Sequence, residues 1–231
     1  MVLMRIGKMR RHRLFLHAVV LLLSLCLLFV GCNRKAQKAE LLLAQNENSP
    51  FQVATLTVPE GEEQFTVLLS NQCLGATLSI GDLDGDGEDE YITNVCIGGN
   101  GGYGQYLSAI YKIVDGKLLQ ILSGDDLNVD LTTSFSPEGK VIVSVDSLGY
   151  SKELQNVKTT DADGEPIPQG EVFADSFYEF KVDTSTTLAR LVGRQYLWYA
   201  FHLNPAGELT SVWEWEDGHF SLAQVELKER N

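Results

Sequence analysis

Eleven short runs rich in Val, Ile, Thr and aromatic residues follow one another from Phe51 to Leu227, and turn residues separate them. They are FQVATLTV, QFTVLLS, EYITNVCI, YLSAIYKIV, KLLQIL, VDLTTSF, KVIVSVDS, SFYEFKV, YLWYAFHL, LTSVWEW and HFSLAQVEL. Such runs suit a pleated, half-buried surface, and many alternate polar with apolar positions. Asp115-Gly116 and Asp217-Gly218 each join two runs. Asp-Gly favours a two-residue hairpin because both central positions need positive φ. SPEGK (136–140) and NPAGE (204–208) mark further turns. TTLARLVG (186–193) reads as a short helix. The pattern predicts an all-β domain of mostly antiparallel sheets over residues 51–231, with about ten or eleven strands. Sandwich and partial propeller both fit. That many strands fill two or three four-stranded blades, too few for a closed propeller of ordinary size.

The N-terminus carries an address. Arg5, Lys8, Arg10, Arg11 and Arg13 precede a run from Leu14 to Val30 with no formal charge, and Gly31 and Cys32 follow. Basic, then apolar, then small is the layout of an export signal. LLFVGC resembles the lipobox of bacterial lipoprotein precursors, with Phe29 where Leu is commoner. The resemblance implies that residues 1–31 are removed and that Cys32 becomes the lipid-bearing first residue. The membrane is then a partner through that lipid, and the remainder lies outside the cytoplasm, on the periplasmic face or the cell surface. An uncleaved anchor would leave the same residues outside. Residues 32–50 are polar apart from ELLLA and read as a tether, with room for a helical turn or two.

Removal of the signal leaves 13 basic against 31 acidic residues, a net charge of −18. Such a surface repels nucleic acid and attracts divalent cations. About 200 residues suffice for one domain with a substantial core.

The carboxylates are not evenly spread. GDLDGDGEDEYI (81–92) holds four Asp, two Glu and three Gly, then turns apolar. Asp82, Asp84, Asp86, Glu88 and Glu90 stand at positions one, three, five, seven and nine of a loop. Alternate carboxylates in a tight turn can converge on one hard cation, and calcium takes six to eight oxygens at flexible geometry. Gly85 and Gly87 let the backbone bend where a Cβ would obstruct it. Position seven would contribute the backbone carbonyl of Glu88, leaving its side chain to water. An EF-hand needs a bidentate Glu at position twelve and a following helix. Thr93 stands there, and strand-like YITNVCI follows.

The pattern D-x-D-G-D-G-x-x-E ahead of a strand resembles the calcium loop of FG-GAP and VCBS-type modules, the repeats of integrin-like propellers and many bacterial surface proteins. The likeness runs from TLSIGDLDGDGEDEYI through GGNGGYGQ to LSAIYKIVDGK. It implies one Ca²⁺ between two antiparallel strands, held by the side chains of Asp82, Asp84, Asp86 and Glu90 and the carbonyl of Glu88. Glu90 replaces the family's usual Asp, and the chain shows one copy where the family has many.

Cys73 and Cys96 remain once Cys26 and Cys32 are assigned to the signal and the lipid. In an exported domain they are either a disulfide pair or two buried thiols. His202 and His219 fall in separate runs, with no Cys/His pattern for zinc. The aromatics of YLWYAFHL and VWEWEDGHF fit core strands, or alternatively a platform for a sugar or peptide. No G-x-S-x-G nucleophile occurs. The expectation is a non-enzymatic binding or adhesion module for a protein or glycan. The alternatives are a glycan-acting envelope enzyme or an accessory subunit of an envelope complex.

Overall fold

The computed structural model describes residues 39–44, 51–68, 75–99, 104–161, 163–165, 167, 170–186 and 188–230. Among these residues fourteen strands form four antiparallel sheets, and none of the sheets closes into a barrel. Each sheet is built from strands consecutive in sequence. The first holds β1 (Glu40–Ala44), β2 (Phe51–Val58) and β3 (Gly61–Leu68). The second runs β4 (Ala76–Gly81), β5 (Glu90–Gly98), β6 (Gln105–Val114) and β7 (Lys117–Ser123). The third holds β8 (Thr132–Phe135), β9 (Val141–Val145) and β10 (Tyr150–Glu153). The fourth runs β11 (Val172–Asp183), β12 (Arg190–Tyr199), β13 (Pro205–Glu216) and β14 (His219–Lys228). Among the described residues there is no α-helix, only two 3₁₀ turns at Gly124–Asp126 and Asp146–Leu148.

Both Asp-Gly pairs make the expected hairpins. Asp115 and Gly116 have φ of 52° and 71°, and Asp217 and Gly218 have 51° and 85°. Positive φ at both central positions matches the twist of the flanking strands. Three strands exceed the eleven runs. β1 lies within the segment read as a tether and pairs antiparallel with β2, so ELLLA is strand and not helical turn. ATLSIG (β4) and YSKE (β10) are short and poor in aromatics, and they are strands by virtue of their partners β5 and β9. TTLARLVG is not a helix, because Arg190–Gly193 opens β12, pairing along its length with β11 and from Leu191 onward with β13. There the buried slot for Leu191 outweighs local helix propensity. NPAGE is not a turn either. Pro205 opens β13, and the turn falls earlier, over 200–204, with Ala200 at φ 62° and the Tyr199 N–H donating to the Asn204 carbonyl. His202 therefore sits in a loop and not in a strand.

The core is divided among the sheets. One cluster joins the first and second sheets through Ala54, Leu56, Phe65, Val95 and Tyr111. A second joins the second and fourth through Ile92, Ile110, Phe177, Leu191 and Trp213. The third joins β9 to the fourth sheet through Val141, Val143, Leu197, Tyr199 and Leu209. The second sheet is thus buried on both faces, which is why YITNVCI and YLSAIYKIV read as nearly continuous apolar runs. Leu83, only 2% exposed, belongs to the second cluster and pegs the acidic loop to the core.

Candidate metal centre

The acidic loop joins β4 to β5, with Gly81 and Glu90 as the last paired residues. Its carboxylates first fold the loop itself. The Asp82 carboxylate accepts the N–H groups of Gly85 (2.7 Å) and Gly87 (3.0 Å). Asp84 accepts from Asp86 N–H at 3.2 Å, and Asp86 accepts from Glu88 N–H at 2.9 Å. Gly85 and Gly87 have φ of 78° and 89°, conformations that favour a residue without Cβ. Glu90 is 1% exposed, and its Oε2 accepts the Leu83 N–H at 2.7 Å. Glu88 and Asp89 face solvent.

Asp82, Asp84 and Asp86 each bring an oxygen within 4.8 Å of the others, a group that can hold a metal ion. Lys112 of β6, absent from the residues picked out by sequence, meets the same carboxylates. Its Nζ lies 2.5 Å from Asp84 Oδ2, 2.8 Å from Asp86 Oδ2 and 2.8 Å from Glu90 Oε1. The last contact is an ion pair without hydrogen-bond alignment. Asp82 makes no contact with the ammonium and keeps its backbone donors. One signal for Lys112 was present: it is the only charge in the ten-residue strand QYLSAIYKIV.

The electrostatics follow from these contacts. Burial works against the Lys112 charge, but Asp84, Asp86 and Glu90 outweigh it and hold the ammonium above its ordinary range. Burial pushes the Glu90 carboxyl up, while Lys112 and the Leu83 N–H pull it down, with the net direction upward. The Lys112 hydrogen bond, then the Glu88 N–H, hold Asp86 low. Four carboxylates against one ammonium leave a net charge of −3 around an all-oxygen donor set. That chemistry suits a hard divalent cation.

No family model, curated protein or solved structure matches the chain.

Residues 1–38, including Cys32, lie outside the described residues, as does Cys73. Cys96 is fully buried and disulfide-bonded. The aromatic runs divide between core and surface. Tyr196, Leu197, Tyr199 and Trp213 are buried, whereas Phe201 and Leu203 are exposed. Trp198 stacks on Phe173 with centroids 4.5 Å apart. Asp175 accepts from Trp198 Nε1 at 3.0 Å and meets His202 Nε2 at 2.7 Å.

Proposed function

We propose that the chain is an exported cell-envelope protein, lipid-anchored at Cys32, whose 82–90 loop binds one calcium ion and stiffens a β domain that serves as a binding or adhesion module. The supporting observation is the convergence of Asp84, Asp86 and Glu90 on one positive charge, the Lys112 ammonium, beside the Asp82–Asp84–Asp86 group. On this reading Lys112 is a tethered counter-ion. Calcium must displace its ammonium to gain the three carboxylates, and the chain's own cation keeps the loop folded when calcium is scarce. The competition places the affinity toward the weak end for extracellular sites, roughly 10⁻³ M. Magnesium, which gives up its waters reluctantly, competes less well.

Calorimetric titration tests the reading. Calcium should give one saturable site, magnesium a weaker one, and Asp82→Asn with Asp86→Asn should remove both. Glu88→Gln should change little, because only its carbonyl is assigned to the ion. Absence of any calcium heat at millimolar metal would overturn the assignment. For the anchor, a fatty-acid probe should label the wild type and not Cys32→Ala, and equal labelling of the two would contradict it.

A further inference from the structure

We infer that the cavity where the acidic loop meets the far end of β13 binds a neutral pyranose ring of a glycan, stacked on Trp215. The cavity has a volume of about 400 Å³, within the range of small-molecule sites. The inference rests on the binding-module half of the proposed function, whose ligand class it names, and not on its calcium half.

The walls are fixed by close packing. Leu83 forms one and is anchored in the core between the second and fourth sheets. Leu188 and Ala189, from the connection between β11 and β12, form another. Two glycines seat that connection on the acidic loop and β4. A Cβ added to Gly85 would lie 3.3 Å from Leu188 Cδ2, and one added to Gly81 would lie 2.8 Å from Val182 Cγ1 and 3.7 Å from Ala189 Cβ. The connection is also tied within itself. The Thr186 hydroxyl donates to the Leu188 carbonyl at 2.6 Å, and the Ser185 N–H donates to Asp183 Oδ1 at 2.9 Å. Trp215 lies beyond the last β12–β13 pair, Leu191 with Trp213. Its ring meets that of its β14 partner Phe220 at 5.0 Å and 73°. Side chains held in this way pre-form a site and lower the ordering cost of binding.

The lining identifies the ligand. Leu83, Leu188, Ala189 and the indole are apolar, and Leu188 is 60% exposed. Arg190 and Glu214 are the charged residues of the lining, and they pair with each other at 3.4 Å. Their charges cancel, so the cavity does not select an ion. A contact that long also leaves both groups capacity for a closer partner. A wholly apolar ligand would take water from the pair and return nothing. Among the described residues nothing accepts the Trp215 N–H, and that N–H is not buried. A neutral ligand with one apolar face and several hydroxyls meets all of these conditions. A pyranose lays its C–H face on an indole, whose ring face is negative. Vicinal hydroxyls both donate and accept, so they suit a guanidinium beside a carboxylate. The indole N–H adds a donor, and the Thr186 oxygen adds an acceptor.

Calorimetric titration of the full chain with chitotriose and with cellotriose tests the inference. Both sugars are β-linked with equatorial ring substituents, which leaves flat C–H faces. Saturable binding of at least one is expected. Trp215→Phe keeps a ring but removes the N–H, and it should weaken binding about three- to tenfold, the usual effect of losing one hydrogen bond. Glu214→Gln, at a half-exposed position, should weaken it at least as much, because hydrogen bonds to a charged group are the stronger ones. Circular dichroism of both variants should match the wild type. No saturable binding of either sugar would overturn the inference. Binding that both variants leave unchanged would overturn it too, while leaving a glycan-binding module with its site elsewhere, so the inference and the broader reading fail separately. The capped neutral tripeptide acetyl-Ala-Phe-Ala-amide should not displace the sugar. Displacement by it at equal or lower concentration would make the cavity a peptide site and contradict the glycan assignment.

Discussion

Lys112 and Tyr111 are neighbours on β6, and their side chains serve opposite sides of the second sheet. Lys112 reaches the acidic loop, while Tyr111 joins the cluster shared with the first sheet, edge-on to Phe65 at 6.1 Å. Burial first, and the charge of Glu63 second, push the Tyr111 phenol from 10.0 up to about 12. A raised value means that the fold holds the neutral phenol. Its contribution to stability is whole below pH 10 and is lost as pH rises toward and through 12. Urea midpoints should fall more steeply over that window for the wild type than for Tyr111→Phe, and equal slopes would contradict the burial argument. At this scale the candidate site was partly legible. Asp82, Asp84, Asp86 and Glu90 are adjacent in sequence, and alternate spacing exposes their convergence. Lys112 is not adjacent: it reaches the loop only because β6 pairs with β5, and no local pattern records that pairing.

Elements with their own pattern were legible, and elements made by their neighbours were not. The eleven runs are strands because β-branched and aromatic residues fill them, and the Asp-Gly pairs place two of the hairpins. YSKE and ATLSIG carry little such signal and are strands because β9 and β5 offer free edges. The opening of β12 is the clearest case. LARLVG has a helical look, yet Gly193 is where the ring of Phe177 lies against the sheet. A Cβ there would stand 2.4 Å from Phe177 Cε1. Gly193→Ala should therefore destabilise the domain by about 1–3 kcal/mol, the usual cost of overpacking. Phe177→Leu added to it should recover part of the loss in urea denaturation. A Gly193→Ala variant as stable as the wild type would show that the ring does not hold that position.

Among the described residues the domain is four meanders that share packed cores, and the acidic loop lies where the second and fourth meet. Leu83 fixes the loop to the core between the second and fourth sheets, and Glu90 closes it onto β5. A cation bound in the loop would therefore stabilise more than a turn, because it would tie the β4–β5 connection to that core. Stacking of this kind depends on which faces meet, so all-β was readable from the runs while the order of the sheets was not. On the proposed function, calcium and Lys112 share one set of carboxylates. Thermal melts of the wild type and of Lys112→Met, each in chelator and in calcium, test it directly. With free calcium near ten times the dissociation constant, binding contributes about 1.4 kcal/mol. That corresponds to a rise of about 3–5 °C for a domain of this size. The chelated variant should melt below the chelated wild type, because three carboxylates lose their counter-ion. Calcium should then raise the variant's melting temperature by more than it raises the wild type's. Melts of both proteins that do not respond to calcium, or a variant that gains no more than the wild type, would contradict the claim.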